Sequence, residues 1–358
     1  MASIMVPTME SIMVMSKKIL LCFLCILLIS GCSKKKEEEA VSEGSSNSVQ
    51  QEEVVNEPAL VEDENESMEL YAIFGVDSRS NSYGIGTRSD CLMIVGIDNE
   101  NKLIKVCSIL RDTLFNIEGH GYEKATHAHS YGGPKLAVST LNENLDLNIE
   151  KYITVNFNSV ADLVDMIGGV TMEVNADEVL YINGYIDENN KVRGTSSEHI
   201  TEAGTYNLDG SQAVAYSRIR YTEGGDFKRS ERQRDVLFQI FEEAKDLGVD
   251  TKLQFAKSML NTISTNIPED EVLELLNQLS SYEIEDMVSY PQIFYAGLIN
   301  TRYVEVPWYL TDMCEAIHEY FGFEGYEPSE TVLERSEYIA SLVDGPNTDT
   351  SELYGNGQ

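Results

Sequence analysis

The chain reads as an α/β protein: an α/β/α sandwich around a central mixed sheet, followed by a mainly helical C-terminal extension. Three observations predict this. The apolar run Leu70-Tyr71-Ala72-Ile73-Phe74 stops at Gly75, as a buried strand does. Two further apolar runs, 91–97 and 104–110, flank the polar turn Asp98-Asn99-Glu100-Asn101 and read as a hairpin. Beyond them, short strand-like runs alternate with helix-like ones, the pattern of a sheet covered on both faces.

Taken in order, residues 134–146 open with Pro134 and carry Leu136, Val138 and Leu141, which predicts a helix. Residues 152–157 read as a strand, and 160–167 as a helix closed by Gly168-Gly169. Residues 170–174 form another strand. The segment 207–213 reads as a capped helix leading into a strand over 215–220. Residues 229–246 form an amphipathic helix with Val236, Leu237, Ile240 and Phe241 on its apolar side. After Gly248 the segments 253–263 and 268–279 are helical candidates, and the run from Val304 to Phe321 ends the expected core. The organisation that follows is a domain over 70–245, an extension over 246–325 and an acidic tail over 326–358 expected to fray.

The N-terminus reads as an export signal over residues 1–31. Lys17 and Lys18 precede an apolar run over 19–29 that ends Ser30-Gly31-Cys32, too short for an ordinary membrane span. That ending resembles a bacterial lipobox, which makes Cys32 the expected site of lipid attachment. Residues 32–69 are rich in Lys, Glu, Ser, Asn and Gln, and read as a flexible spacer. With the signal removed and Cys32 lipidated, three cysteines remain, Cys91, Cys107 and Cys314, which is no disulfide framework. Cys91 and Cys107 on adjacent strands leave a single bridge conceivable.

The formal net charge of −34 provides no broad basic face and argues against nucleic acid as a partner. Yet eight of the eleven arginines fall in four short clusters, each with a carboxylate: Arg79 near Asp77, Arg88 near Asp90, Arg111 beside Asp112, and Arg218, Arg220, Arg229, Arg232 and Arg234 around Asp226. Taken singly these are ordinary surface ion pairs. Together, at strand ends and glycine-rich turns, they predict one basic pocket, since forked guanidinium donors suit phosphate. Asp77 and Asp90, at neighbouring strand ends, are placed to share a Mg²⁺ (or Mn²⁺). Arg218 and Arg220, two apart on the expected strand, share a face. Arg229, Arg232 and Gln233 share a helix face beyond the hinge Gly224-Gly225. His127 and His129, read on a strand, raise metal binding, but no third ligand is evident, and packing or substrate contact is the better reading.

In this order the motifs resemble those of the LytR-CpsA-Psr family of cell-wall glycopolymer ligases. They are Gly75 to Arg79, Arg88-Ser89-Asp90, Ser108 to Asp112, Lys124 to Pro134, Asn156-Phe157, Ile167 to Val170, Arg218 to Arg220 and Gly225 to Gln233. Leu110 stands where the family usually has proline, and Ala125-Thr126-His127 also departs from its pattern. The resemblance implies a Mg²⁺-dependent phosphotransferase that moves a glycopolymer, such as teichoic acid or capsular polysaccharide, from undecaprenyl diphosphate to peptidoglycan. It implies that Asp77 and Asp90 hold the metal on the diphosphate. The oxygens would be clamped by Arg79, Arg88, Arg111, Lys124, Arg218, Arg220, Arg229, Arg232 and Gln233. Asp112 or Asp226 would orient or deprotonate the acceptor hydroxyl, or serve only to hold an arginine. The partners implied are the lipid-linked polymer, peptidoglycan and the outer leaflet of the cytoplasmic membrane through a lipid anchor. A polyprenyl diphosphate hydrolase and a non-catalytic surface lipoprotein that binds lipid-linked sugars are the alternatives.

Overall fold

A computed structural model describes residues 68–78, 83–285 and 287–351. The expected export signal, Cys32, the spacer up to residue 67 and Arg79 lie outside the described residues. Within them, no helix is long and apolar enough to cross a membrane.

The chain runs β1 (Met68–Val76), β2 (Ser89–Asp98), β3 (Leu103–Ile109), β4 (Leu114–Ile117), β5 (Gly121–Lys124), α1 (Ala125–Leu145), β6 (Lys151–Asn156) and α2 (Phe157–Ile167). It continues β7 (Val170–Val174), α3 (Ala176–Arg193), β8 (Gly204–Leu208), α4 (Gly210–Ser217), α5 (Gly225–Lys245), α6 (Val249–Thr262), β9 (Ser264–Thr265) and α7 (Glu269–Gln278). The C-terminal part is β10 (Glu283–Ile284), β11 (Val288–Tyr290), β12 (Ile293–Ile299), β13 (Arg302–Pro307), α8 (Leu310–Phe321), α9 (Glu330–Ala340) and β14 (Thr348–Asp349).

The central sheet has the order β10-β3-β2-β1-β6-β9, with β11 also on β3. It is mixed: β1–β2 and β2–β3 are antiparallel, while β1–β6, β3–β10 and β3–β11 are parallel. Strand alternation sorts the core into two layers. Leu70, Ala72, Phe74, Leu92, Ile94, Cys107 and Ile109 face α1, α8 and α9. Tyr71, Met93, Val95, Ile97, Ile104 and Val106 face α2, α5, α6 and α7. A third cluster joins α2, α3, α4 and the β7–β8 ribbon. The α/β/α sandwich is therefore the observed fold, and helices α6, α7 and α8 populate its C-terminal extension.

The structure revises several local expectations. The helix expected from Pro134 begins at Ala125 and kinks at Gly133 (φ 71°), just before the proline. His127 and His129 thus lie on a helix and diverge. His129 is fully buried with Nδ1 2.9 Å from the Thr87 carbonyl oxygen, and His127 Nδ1 lies 3.1 Å from Glu123 Oε2. The strand expected over 215–220 is absent, because α4 runs to Ser217. Asp209 caps it in a reciprocal box with Gln212, and Gly210 lets it approach α2 so closely that a Cβ there would meet the Ala161 carbonyl at 2.0 Å. Ile94 pairs with Cys107 across the hairpin, so Cys91, three residues from Ile94, points to the opposite face, and both thiols are free. The tail expected to fray is ordered over 326–351. Val332 and Ile339, seven apart on α9, are fully buried in the main core, and β14 pairs with β12.

Candidate functional site

The charged site lies where β1 and β3 end and β2 begins, beside the N-terminus of α5. The β1–β2 register jumps from Gly75↔Cys91 to Val76↔Ser89, which leaves Asp90 as the extra residue of a bulge. Bulges re-aim side chains, and Asp90 Oδ1 accepts from Arg111 Nη1 at 2.8 Å. Arg111 follows β3; its Nε donates to Asp226 Oδ2 at 3.0 Å and lies 3.9 Å from Asp112 Oδ1. Burial opposes the charge on Arg111, but Asp90, Asp226 and Asp112 more than offset it and raise its pKa.

Asp226 is the hub. Gly224 and Gly225 take positive φ (84° and 50°), turning the chain into α5 with Asp226 in its first turn. Its Oδ2 accepts from Arg111 Nε and from Arg229 Nη2 at 2.8 Å, while Oδ1 lies 3.3 Å from Arg220 Nε as an ion pair. Arg229 is nearly buried, with its side chain 7% exposed; Arg220 is 44% exposed. On the other side, Lys124 Nζ at the end of β5 lies 3.0 Å from Asp112 Oδ1. Leu110, at the position noted for its departure from proline, packs beneath with Phe227 and Phe294.

Asp77 is exposed at the end of β1, where its N–H donates to the Arg88 carbonyl at 3.2 Å; Arg88 is exposed as well. No group of three or more His, Cys, Asp or Glu among the described residues is arranged to hold a metal alone. Two carboxylates at adjacent strand ends, one with Oδ2 outside its ion pair to Arg111, still suit a Mg²⁺ that draws its other ligands from phosphate and water.

Three predicted clamp residues, Arg218, Arg232 and Gln233, turn elsewhere. Arg232 is buried: Nε donates to Glu178 Oε1 (2.7 Å), Nη1 to the Ile219 carbonyl (3.1 Å) and Nη2 to Thr222 Oγ1 (2.8 Å). Arg218 caps α4, bonds Asn189 and Glu188, and stacks on Phe157 and Tyr185. It diverges from Arg220 because a helix end separates them where a strand was expected. The structure thus gathers Asp90, Arg111, Asp112, Lys124, Arg220, Asp226 and Arg229 into one cluster and leaves Arg218, Arg232 and Gln233 outside it.

Gln233 instead faces an apolar cavity of about 250 Å³ between the sheet and α2, α5 and α6. Ile73, Val95, Ile153, Leu163, Leu237 and Phe241 are among its walls, while Asp90, Asn156 and Gln233 give it polar groups. Asp90 lines this cavity and also pairs with Arg111, so the ionic cluster and the apolar chamber adjoin. Cys91 also lines it, and burial pushes its thiol up to about 12, so it is uncharged there.

The sequence did not announce Glu305. It lies on β13, with its N–H bonded to the Asp112 carbonyl (2.8 Å) and a parallel bridge to Thr113. The visible signal was an acid between Val304 and Val306 on a strand-like run; its neighbours come from tertiary packing.

Among known proteins, the chain is 36% identical over 178 residues to the polyisoprenyl-teichoic acid–peptidoglycan teichoic acid transferase TagT of Bacillus subtilis, covering 49% of this chain and 52% of that one. It is 30% identical over 206 residues to the transferase TagU of Bacillus cereus, covering 57% and 62%. It therefore spans less than two thirds of either relative. The solved structure of the LytR-CPS2A-psr family protein YwtF (TagT) with bound octaprenyl pyrophosphate lipid superposes with a TM-score of 0.53 at 26% identity, covering 72% of this chain and 91% of that one. The model of the LytR_cpsA_psr family matches residues 28–308, well over half of the sequence, and the chain belongs to that family.

Proposed function

We propose that this protein transfers a glycopolymer from a polyprenyl diphosphate, undecaprenyl diphosphate in the cell, to a hydroxyl of peptidoglycan, with Mg²⁺ held by Asp77 and Asp90. The observation that carries the reading is the junction of the arginine cluster with the apolar cavity, where Asp90 belongs to both. An amphiphile with a diphosphate head and an isoprenoid tail matches that junction in charge and in polarity. The octaprenyl pyrophosphate named for the related structure and the teichoic acid transferase names of the relatives support it.

In this reaction the acceptor oxygen attacks the phosphorus that carries the sugar. The bond from that phosphorus to the bridging oxygen breaks, polyprenyl phosphate leaves with the electron pair, and the hydroxyl proton is released. Such chemistry depends on positioning and charge stabilisation. Arg111 and Arg229, fixed by Asp90 and Asp226, offer rigid donors, and exposed Arg220 can reach the ligand. Asp226 already pairs with three guanidinium groups, so it organises the arginines. Bound Mg²⁺ would neutralise charge on the diphosphate oxygens. The lipobox-like sequence ending at Cys32 supports anchoring at the outer leaflet, with the spacer holding the folded part away from the bilayer.

The test supplies the full chain in lipid vesicles with Mg²⁺, a polyprenyl diphosphate-linked glycan and peptidoglycan oligomers, with products read by mass spectrometry. A phosphodiester-linked adduct is expected. Free glycan phosphate with every acceptor would replace transfer by hydrolysis, and binding without turnover would make the protein a carrier of lipid-linked sugar.

A further inference from the structure

We propose that Glu305 is a positioning residue that works as a neutral acid, keeping one positive charge of the arginine–lysine cluster free for an anionic ligand. The inference deepens the diphosphate reading and rests on it. Around Arg111 the ion pairs join four cations, Arg111, Lys124, Arg220 and Arg229, to three carboxylates, Asp90, Asp112 and Asp226. One positive charge is left over. An ionised Glu305 would cancel it and would compete with Asp112 for Lys124 and Arg111.

The geometry holds Glu305 in that position. Its residue is 4% exposed, and Oε2 is wholly buried with no hydrogen-bond partner among the described residues. The backbone bond to Asp112 and the bridge to Thr113 fix it beside the turn that carries Arg111 and Asp112. The charged and titratable groups around it are Asp112 and Arg111 from that turn, Lys124 from β5, Asp226 from α5 and Tyr303 from its own strand. Burial first, then Asp112 and Asp226, push its carboxyl up to about 8 against the pull of Arg111 and Lys124. A carboxylate without a partner in such a place is costly, and protonation removes the cost.

The role differs from a general base, which must be ionised to act. A neutral substitute should therefore work at neutral pH, and the dependence on pH should appear only where Glu305 ionises.

The experiment titrates inorganic pyrophosphate into the full chain by calorimetry, without Mg²⁺, from about pH 6 to about pH 9.5, a range that spans the expected ionisation. Wild type and Glu305→Gln are compared, with Glu305→Leu as a second neutral replacement should the amide disturb folding. Near pH 7 the variants should bind within about twofold of wild type. Above about pH 8 wild type should lose up to about tenfold in affinity per pH unit relative to Glu305→Gln, while pyrophosphate's own ionisation affects both alike. Infrared difference spectra of wild type minus variant should show the neutral-acid carbonyl band at pH 7.

Identical pH responses, a loss beyond tenfold in both neutral variants at pH 7, or an ionised Glu305 at pH 7 would each overturn the proposal. No pyrophosphate binding at any pH in any of the proteins would instead sink the diphosphate reading and, with it, the ligand half of this one. The infrared titration would still decide the charge state.

Discussion

Replacing Arg232 by methionine should damage the fold while leaving the ligand site intact. Arg232 is 5% exposed and Glu178 is 4% exposed, with 2.7 Å between Nε and Oε1. Methionine removes the only cation that the ion pairs place on Glu178 among the described residues, and it also removes bonds to the Ile219 carbonyl and Thr222. Breaking a buried pair from one side costs about 3–5 kcal/mol, because the remaining charge stays buried without compensation. Glu178→Leu alone should cost a similar amount, plus about 1 kcal/mol for its second role. Its Oε2 accepts from the Asn175 N–H in the box that caps α3. The double variant loses both charges and should recover most of the deficit, ending within about 2 kcal/mol of wild type instead of at the sum of the two single losses. Urea unfolding of the four proteins measures the cycle, and pyrophosphate calorimetry on the folded variants checks the site. An Arg232→Met variant with wild-type stability and no pyrophosphate binding would refute the assignment and return Arg232 to the clamp.

Other outcomes follow from the same geometry. Arg111→Lys keeps a charge but loses the fork that bridges Asp90 and Asp226, and should lower kcat/KM of transfer about tenfold to a hundredfold, the worth of one or two charged hydrogen bonds. Val155→Phe projects a ring into the apolar cavity and should leave pyrophosphate binding unchanged. Excluding three or four methylenes should weaken polyprenyl diphosphate by about 3 kcal/mol, read by competition calorimetry. Glu305→Gln should change the pH dependence of stability. The carboxyl rises on folding from 4.5 to about 8, so its favourable contribution is fully present below about pH 4.5 and lost as pH rises towards 8. Wild type should therefore fall behind the variant by about 1.4 kcal/mol per pH unit in that window. Urea midpoints at about pH 5 and pH 7.5 check this, and parallel profiles would contradict it.

What the sequence made legible was whatever depends on neighbours along the chain. The hairpin could be read because its two apolar runs flank an Asx turn, in which Asp98 Oδ1 accepts the Glu100 and Asn101 N–H groups. The end of α2 at Gly168 could be read because that residue takes a φ of 91°. The alternating side chains of 215–220 suit a strand, but the Asp209–Gln212 capping box upstream commits the backbone to a helix as far as Ser217. Acidity hid α9, whose two core residues stand a heptad apart among glutamates. The arginine clusters announced a basic pocket, but their spacing carried no information on which of them would meet. That was decided by α3 presenting Glu178 to Arg232 and by β13 bringing Glu305 beside Asp112, contacts between residues far apart in the chain.

The grading of the arginines around Asp226 suggests how an acidic protein prepares a site for an anion. Placing guanidinium groups together costs repulsion, and Asp226 offsets it before any ligand arrives. Arg229 is the inner contact, buried and 2.8 Å from the carboxylate; Arg220 is the outer one, at 3.3 Å with nearly half its side chain in water. A diphosphate competing for the same donors would meet least resistance at Arg220, since an exposed pair contributes little to stability. The inner arginines would keep their orientation while Arg220 exchanged one anion for another. Asp226 is in this view a placeholder for phosphate as well as a scaffold for the cations. Asp226→Asn should accordingly loosen the arrangement of Arg111 and Arg229, and lower kcat more than it lowers affinity. A variant with a proportionate loss in both, or none, would show that the carboxylate does not preorganise the site.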